Sequence, residues 1–196
     1  MTKSIVLSIQ AQHAYNIMDG YKTLELRKRV PRGFKGWVYV YVTKAEPYLY
    51  QSRYNLNYFL KQYKMEAIEP ELRPELLNGT IPFRFWFDEW EEVIEDHWIN
   101  QNAYSYSLKN HTNNDDLLKN SCLTLEEIYS YLGMNNGCAW HIKKLEIFDK
   151  PMQLGDFNKY LSQYKLNMLF QLDLPMWIKL SKAPQSYQYV YLKGEL

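Results

Sequence analysis

Residues 4–43 read SIVLSIQAQHAYNIMDGYKTLELRKRVPRGFKGWVYVYVT and spell out four successive elements. Residues 4–9 (SIVLSI) read as a mainly apolar strand, the pattern of a buried one. Residues 11–19 place Ala14, Ile17 and Met18 at helical spacing, and Gly20 is a natural helix stop because glycine accepts the left-handed backbone that ends a helix. In residues 22–28 the alternation is strict: Leu24 and Leu26 point one way, and Thr23, Glu25 and Arg27 the other. Pro31, Gly33 and Gly36 make a turn, after which residues 37–43 alternate Val38, Val40 and Val42 with Trp37, Tyr39 and Tyr41, as in a strand packed on both faces.

Outward from this unit the pattern loosens. Residues 46–78 are rich in Tyr, Asn and Pro, with a short helix predicted over 54–63, and read as a lid or insertion. Residues 80–88 (TIPFRFWFD) predict a strand that Pro82 places at an edge or bulge. The acidic run 88–96 reads as a solvated helix face, and residues 100–120 as a solvated loop within a second insertion-like segment, 98–121. Thr124 and Glu127 form a capping box that opens a helix through Tyr131, closed by Gly133. A strand over 138–148 ended by Pro151, a helix over 156–163, an extended segment over 170–184 and a last strand over 187–192 complete the prediction. The 196 residues are enough for one decorated domain, 1–196, and hardly for two.

Composition excludes several classes. No segment approaches a membrane span, and the first ten residues lack the apolar core of a signal peptide, so a cytoplasmic protein is expected. Cys122 and Cys138 are expected to be reduced thiols; His13, His97, His111 and His141 are scattered, and neither a metal nor a cofactor is expected. A net charge of +1 is too small for coating duplex DNA. Its distribution is uneven: residues 1–50 hold eight Lys/Arg against three acids, +5, and residues 66–96 ten acids against two Arg, −8.

The segment GYKTLELRKRVP, residues 20–31, resembles the signature of the ASCH family, in which a helix ends in glycine, followed by a lysine and a strand ending in ELR. Residues 37–43, 77–88 and 137–151 look like later strands of that family, and the closing KAPQSYQYVYL, residues 182–192, is similar to the tail of phage and prophage members. The resemblance implies an α+β fold: a PUA-like small mixed β-barrel with flanking helices, here with a large insertion. It also implies association with RNA, single-stranded nucleic acid or a nucleotide or modified base. In small amidohydrolase relatives a lysine after the glycine turn, a threonine three residues on and a distant glutamate carry the chemistry; Lys22 matches the lysine, and Glu25 stands where those relatives carry threonine.

Three functions follow as expectations. The first is a binding module whose pocket is lined by Lys22, Thr23, Glu25 and Arg27, with Lys28 and Arg29 guiding the backbone and Gln185, Ser186 and Tyr187 contacting the ligand. The second is a hydrolase or ribonuclease acting on RNA or a modified nucleoside, with Glu25 as base and Lys22 and Arg27 stabilising charge. The third, if the gene is viral, is an interaction protein that engages a host factor through residues 88–96. Most of the 18 Tyr and 6 Trp are expected in the core, and Trp37, Tyr39, Tyr41, Phe85 and Phe87, at strand periodicity, mainly in packing.

Overall fold

A computed structural model describes residues 2–44, 77–96, 105–109, 111, 115–161 and 176–192. The helix predicted over 54–63 and most of the 46–78 segment lie outside the described residues. In chain order the elements are β1 (Ser4–Ile9), α1 (Ala11–Met18), β2 (Leu24–Arg27), β3 (Gly36–Val42), β4 (Ile81–Phe87), β5 (Trp90–Asp96), β6 (Ser105–Leu108), α2 (Asp115–Ser121), α3 (Leu125–Leu132), β7 (Gly137–His141), β8 (Lys143–Met152), β9 (Phe157–Leu161), β10 (Met176–Lys179) and β11 (Tyr187–Leu192). The class is mixed α+β, dominated by strands. The strands form a seven-stranded sheet in the order β10-β9-β11-β1-β3-β4-β8 and a four-stranded sheet in the order β2-β7-β5-β6; among the described residues neither closes into a ring.

The chain divides into two compact units: Met1–Tyr15, Gly36–Arg84 and Glu146–Leu196 in the first, Asn16–Lys35 and Phe85–Leu145 in the second. In the first unit β1 lies parallel to β3, with Ile5 opposite Val38 and Leu7 opposite Val40, and antiparallel to β11, with Ser4 opposite Val190. All six β1 residues, Ser4 and Ser8 included, are buried, as befits a mainly apolar strand with neighbours on both sides. On one side of this sheet Val6, Tyr39, Tyr41, Ile81, Phe157, Leu180 and Val190 form a core. Arg84 caps part of it: its guanidinium lies 4.0 Å over Trp37, donates to the Tyr39 hydroxyl at 2.8 Å and meets Glu146 at 2.7 Å. Burial works against the Arg84 charge, but the bonds to Glu146 and Tyr39 outweigh it and hold its pKa above the usual value.

In the second unit period-two alternation sends Leu24 and Leu26 of β2, Val93 of β5, Tyr106 and Leu108 of β6 and Ala139 of β7 into a core with Leu117 of α2 and Ile128 and Leu132 of α3. The Thr124–Glu127 capping box is present, Thr124 Oγ1 accepting from the Glu127 amide at 3.2 Å and Glu127 Oε2 from the Thr124 amide at 2.8 Å. Gly133 ends α3, its N–H donating to Tyr129 O.

Several predicted elements differ. Residues 90–96 are a strand rather than a helix face, because WEEVIED alternates and Val93 is fully buried between its acids; charge count concealed the period. Residues 105–108 and 115–121 are a buried strand and a helix rather than a loop. Of the helix predicted over 156–163, residues 162–163 lie outside the described residues and the rest is a 3-10 turn, Leu154–Asp156, followed by β9, since pairing with β10 and β11 on both sides overrides local propensity. The strand predicted over 138–148 is two strands separated at Ile142, whose N–H donates to Thr23 O. Pro151 lies inside β8 rather than beyond it, and β4, with Pro82, sits between β3 and β8 rather than at an edge. The strand over 187–192 and the packing role of Tyr39, Tyr41, Phe85 and Phe87 are as expected, all four rings being buried; Trp37 is only partly so.

Candidate functional site

The second unit concentrates its buried charge at the start of β2, and the local sequence shows how. Gly20 takes a φ of +77° and its N–H donates to Ile17 O, after which the N–H groups of Tyr21 and Lys22 both donate to Asn16 O, at 3.0 and 2.9 Å. This turn fixes Lys22 directly below the last turn of α1. Thr23 is exposed, with its N–H on Asn120 O and its carbonyl accepting from Ile142. Glu25 and Arg27 follow two residues apart on one face of β2, opposite Trp140 and Cys138 of β7.

The polar face of β2 is not in water. Lys22, Glu25 and Arg27 are 2%, 6% and 8% exposed. Lys22 Nζ lies 3.3 Å from Glu25 Oε2 and donates to Ser121 O at 2.6 Å, and Arg27 Nη2 lies 2.8 Å from Glu25 Oε1. One carboxylate therefore lies against two cations. Trp140, the cross-strand partner of Glu25, is fully buried and packs on Phe87 at 4.8 Å between centroids, and Phe87 stacks with Phe34 at 6.2 Å. Cys122, next to Ser121, has its thiol pKa pushed up by burial, with the Lys22 charge acting in the opposite direction.

Lys28, Arg29, Arg32 and Lys35 follow β2 as an exposed basic run, with the Lys28 ammonium 5.4 Å over the exposed Tyr131 ring. Of the residues singled out in the sequence, Lys22, Glu25 and Arg27 are brought into contact; Thr23, Lys28 and Arg29 flank them in the chain. Gln185, Ser186 and Tyr187 belong to the first unit, where Pro184 O accepts from the Ser8 hydroxyl and Ser186 O from the Ser8 amide, and the Tyr187 ring meets Tyr189 edge-on at 6.1 Å.

Sequence spacing does not reveal a second polar cluster. His141 Nε2 lies 2.8 Å from Glu91 Oε1, His111 Nε2 3.2 Å from Glu91 Oε2, and His111 Nδ1 3.3 Å from Asp116 Oδ2. The register explains half of it: Glu91 pairs with Ala139, which puts His141 on the adjacent diagonal, within side-chain reach. The other acids of the 88–96 run are also engaged by their own chain, Asp88 and Glu89 by Lys143 and Glu92 by Lys109. Among the described residues no group of three or more His, Cys, Asp or Glu is arranged to hold a metal ion, and no helix is long and apolar enough to cross a membrane.

No family profile matches the sequence, and no curated protein matches it. Solved structures of ASCH from Zymomonas mobilis are similar to this chain. A serine-to-alanine mutant of it aligns at TM-score 0.48 with 12% identity, covering 95% of this chain and 87% of that one. A tyrosine-to-phenylalanine mutant aligns at 0.48 with 13% identity over 96% and 90%, and the unmutated protein at 0.46 with 13% over 98% and 89%.

Proposed function

We propose that this chain is a nucleic-acid-associated domain of ASCH type, of the phage or prophage subgroup that its closing segment resembles and acting in the cytoplasm, which binds RNA, a nucleotide or a modified base through Lys22, Glu25 and Arg27. The observation that carries the reading is the burial of all three groups together. Taking each ion out of water costs several kcal/mol, and apolar residues of similar volume often fill such space at no loss of stability. A buried cluster in which two cations share one carboxylate is therefore poor packing but a good receptor for an anionic or carbonyl-rich ligand. The Arg27 guanidinium is a planar fork suited to a phosphate or a base edge, and the Lys22 ammonium a compact point charge. Glu25 orients both. The exposed run Lys28, Arg29, Arg32 and Lys35 would guide a phosphate backbone, Thr23 adds a hydroxyl beside Lys22, and in the first unit Gln185, Ser186 and Tyr187 are proposed as base contacts of their own.

The same geometry favours binding over hydrolysis. A general base needs a free oxygen toward its substrate, whereas each Glu25 oxygen already lies on a cation. It also gives little to the host-factor reading, since Asp88, Glu89, Glu91 and Glu92 have partners within the chain.

Titration of fluorescently labelled single-stranded RNA and of modified nucleosides tests the proposal. Saturable binding is expected, weakened in Arg27→Lys and lost in Lys22→Met, with circular dichroism confirming that both variants fold. Undiminished binding in folded Lys22→Met would refute it. RNA cleaved by metal-free protein and spared by Glu25→Gln would move the assignment to the hydrolase.

A further inference from the structure

Over β9, β10 and the end of β11 one face of the first unit's sheet carries partly exposed aromatic rings, whereas further along the same face, at β1, Ile5 and Leu7 are buried. The register places Trp177 of β10 opposite Tyr160 of β9, and Asn158 of β9 opposite both Lys179 of β10 and Tyr191 of β11. Because side chains two apart on a strand share a face, Tyr160, Asn158, Trp177, Lys179 and Tyr191 project together, with Tyr189 and Tyr187 continuing the row along β11. Tyr160 is 46% exposed, Lys179 is exposed, and Trp177 and Tyr191 are half-buried. A sheet face turned to water normally carries short polar and charged residues; contiguous aromatic surface there marks a binding surface.

The rings are held in a fixed array. Tyr160 meets Trp177 edge-to-face at 5.3 Å and 62°, and Trp177 meets Tyr191 at 4.6 Å and 78°. Such contacts hold each ring in place before any ligand arrives, which lowers the entropy cost of stacking on it. The charge on this face has one sign. At its described positions, 158, 160, 177, 179, 187, 189 and 191, there is no carboxylate, while Lys179 lies within it and the Lys3 ammonium sits 3.8 Å over the Tyr189 ring.

We propose that Tyr160, Trp177 and Tyr191, flanked by Lys179, form a base-stacking face for single-stranded nucleic acid. Stacking is sequence-tolerant because every base presents a π-face, and lysines beside the rings meet the phosphates. Asn158, between Lys179 and Tyr191, supplies a donor and an acceptor for a base edge. This rests on the reading that the chain is nucleic-acid-associated, but it assigns a surface wholly within the first unit that shares no residue with the Lys22 cluster.

Fluorescence anisotropy of the full chain with labelled ten-nucleotide oligo-rU, oligo-dT and an abasic oligomer of equal length tests it. Tyr160→Ala, an exposed substitution, should weaken oligomer binding roughly tenfold, the scale of one lost base stack, and Tyr160→Phe should not. Lys179→Ala should lower the slope of affinity against salt by about one phosphate contact. The abasic oligomer should bind wild type no better than the natural oligomer binds Tyr160→Ala. Uridine monophosphate binding that Lys22→Met removes should survive Tyr160→Ala. Wild-type affinity in Tyr160→Ala, or equal binding of natural and abasic oligomers, overturns this face while leaving the Lys22 reading standing. Absence of binding by both oligomers and mononucleotide overturns both. Concentration-dependent self-association abolished by Tyr160→Ala assigns the face to a second copy of the chain and likewise overturns it.

Discussion

Glu25 Oε1 lies 2.8 Å from the Nη2 of Arg27, two residues further along the same strand, while Oε2 lies 3.3 Å from Lys22 Nζ. Removing this carboxylate leaves two cations out of water without their counter-ion. Breaking one side of a buried ion cluster costs about 3–5 kcal/mol. Glu25→Ala is therefore expected to lower the urea unfolding midpoint by that equivalent, and the triple replacement of Lys22, Glu25 and Arg27 by Met, Leu and Met to recover most of it while remaining unable to bind ligand. A Glu25→Ala midpoint within error of wild type would mean that the cluster is hydrated rather than buried.

Gly20 sets the position of Lys22 through its own backbone. No atom lies within 4 Å of the place a Cβ would occupy, so the strain of a substitution comes from the φ of +77° alone. Gly20→Ala should cost about 1–2 kcal/mol, and Gly20→Asn less, since asparagine visits this region more readily. Urea unfolding of the two variants checks the order. A larger loss of ligand affinity than of stability in Gly20→Ala would additionally show that the turn positions Lys22.

These two sites also show what is legible in the sequence. The helix stop at Gly20, the alternation of residues 22–28 and the capping box at Thr124 are local devices, each complete within a few residues, and all three stand in the structure as read. The partners of the β2 polar row are not local. That Glu25 and Arg27 lie beside Trp140 and Cys138 depends on the pairing of β2 with β7, and that Lys22 ends on Ser121 O depends on where α2 docks, 99 residues further along the chain. The elements misread, residues 90–96, 105–108 and 156–163, are those whose structure comes from strand pairing rather than composition. Tyr106 and Leu108 lie in a stretch rich in Asn and Ser, yet both are buried in the second core, and the aromatic ladder of Tyr160, Trp177 and Tyr191 exists only once β9 pairs with strands on either side.

Lys143 joins the start of β8 to the turn between β4 and β5, at 3.1 Å from Asp88 Oδ1 and 2.6 Å from Glu89 Oε2. Its hydrogen bonds hold both carboxyls below their ordinary range and hold its own pKa above the ordinary one. For the acids, stability from the contact is complete above the unfolded value of about 4 and disappears as pH falls through the lower folded values. For Lys143 it is complete below about 10.4 and is lost as pH rises through the raised folded value. Lys143→Met should therefore differ from wild type in urea midpoint at neutral pH and converge with it at both extremes. A difference that persists unchanged at pH 2 would show that the aliphatic stem, not the charge, carries the contact.

The two thiols report on the charge at the candidate site. Burial raises both pKa values, but the local fields are opposite: the Lys22 charge pulls Cys122 down, and the Glu92 charge pushes Cys138 further up. Alkylation proceeds through the thiolate, so its rate follows the fraction ionised as well as access. Iodoacetamide at neutral pH should modify Cys122 faster than Cys138, as read by peptide mass spectrometry over a time course. Lys22→Met should slow Cys122 several-fold and leave Cys138 unchanged. Bound anion at Lys22 offsets the ammonium charge and should slow Cys122 in the same direction, so protection by a mononucleotide in wild type, absent in Lys22→Met, ties the ligand to that side chain. A Cys122 rate indifferent to both the substitution and the nucleotide would place the ligand elsewhere.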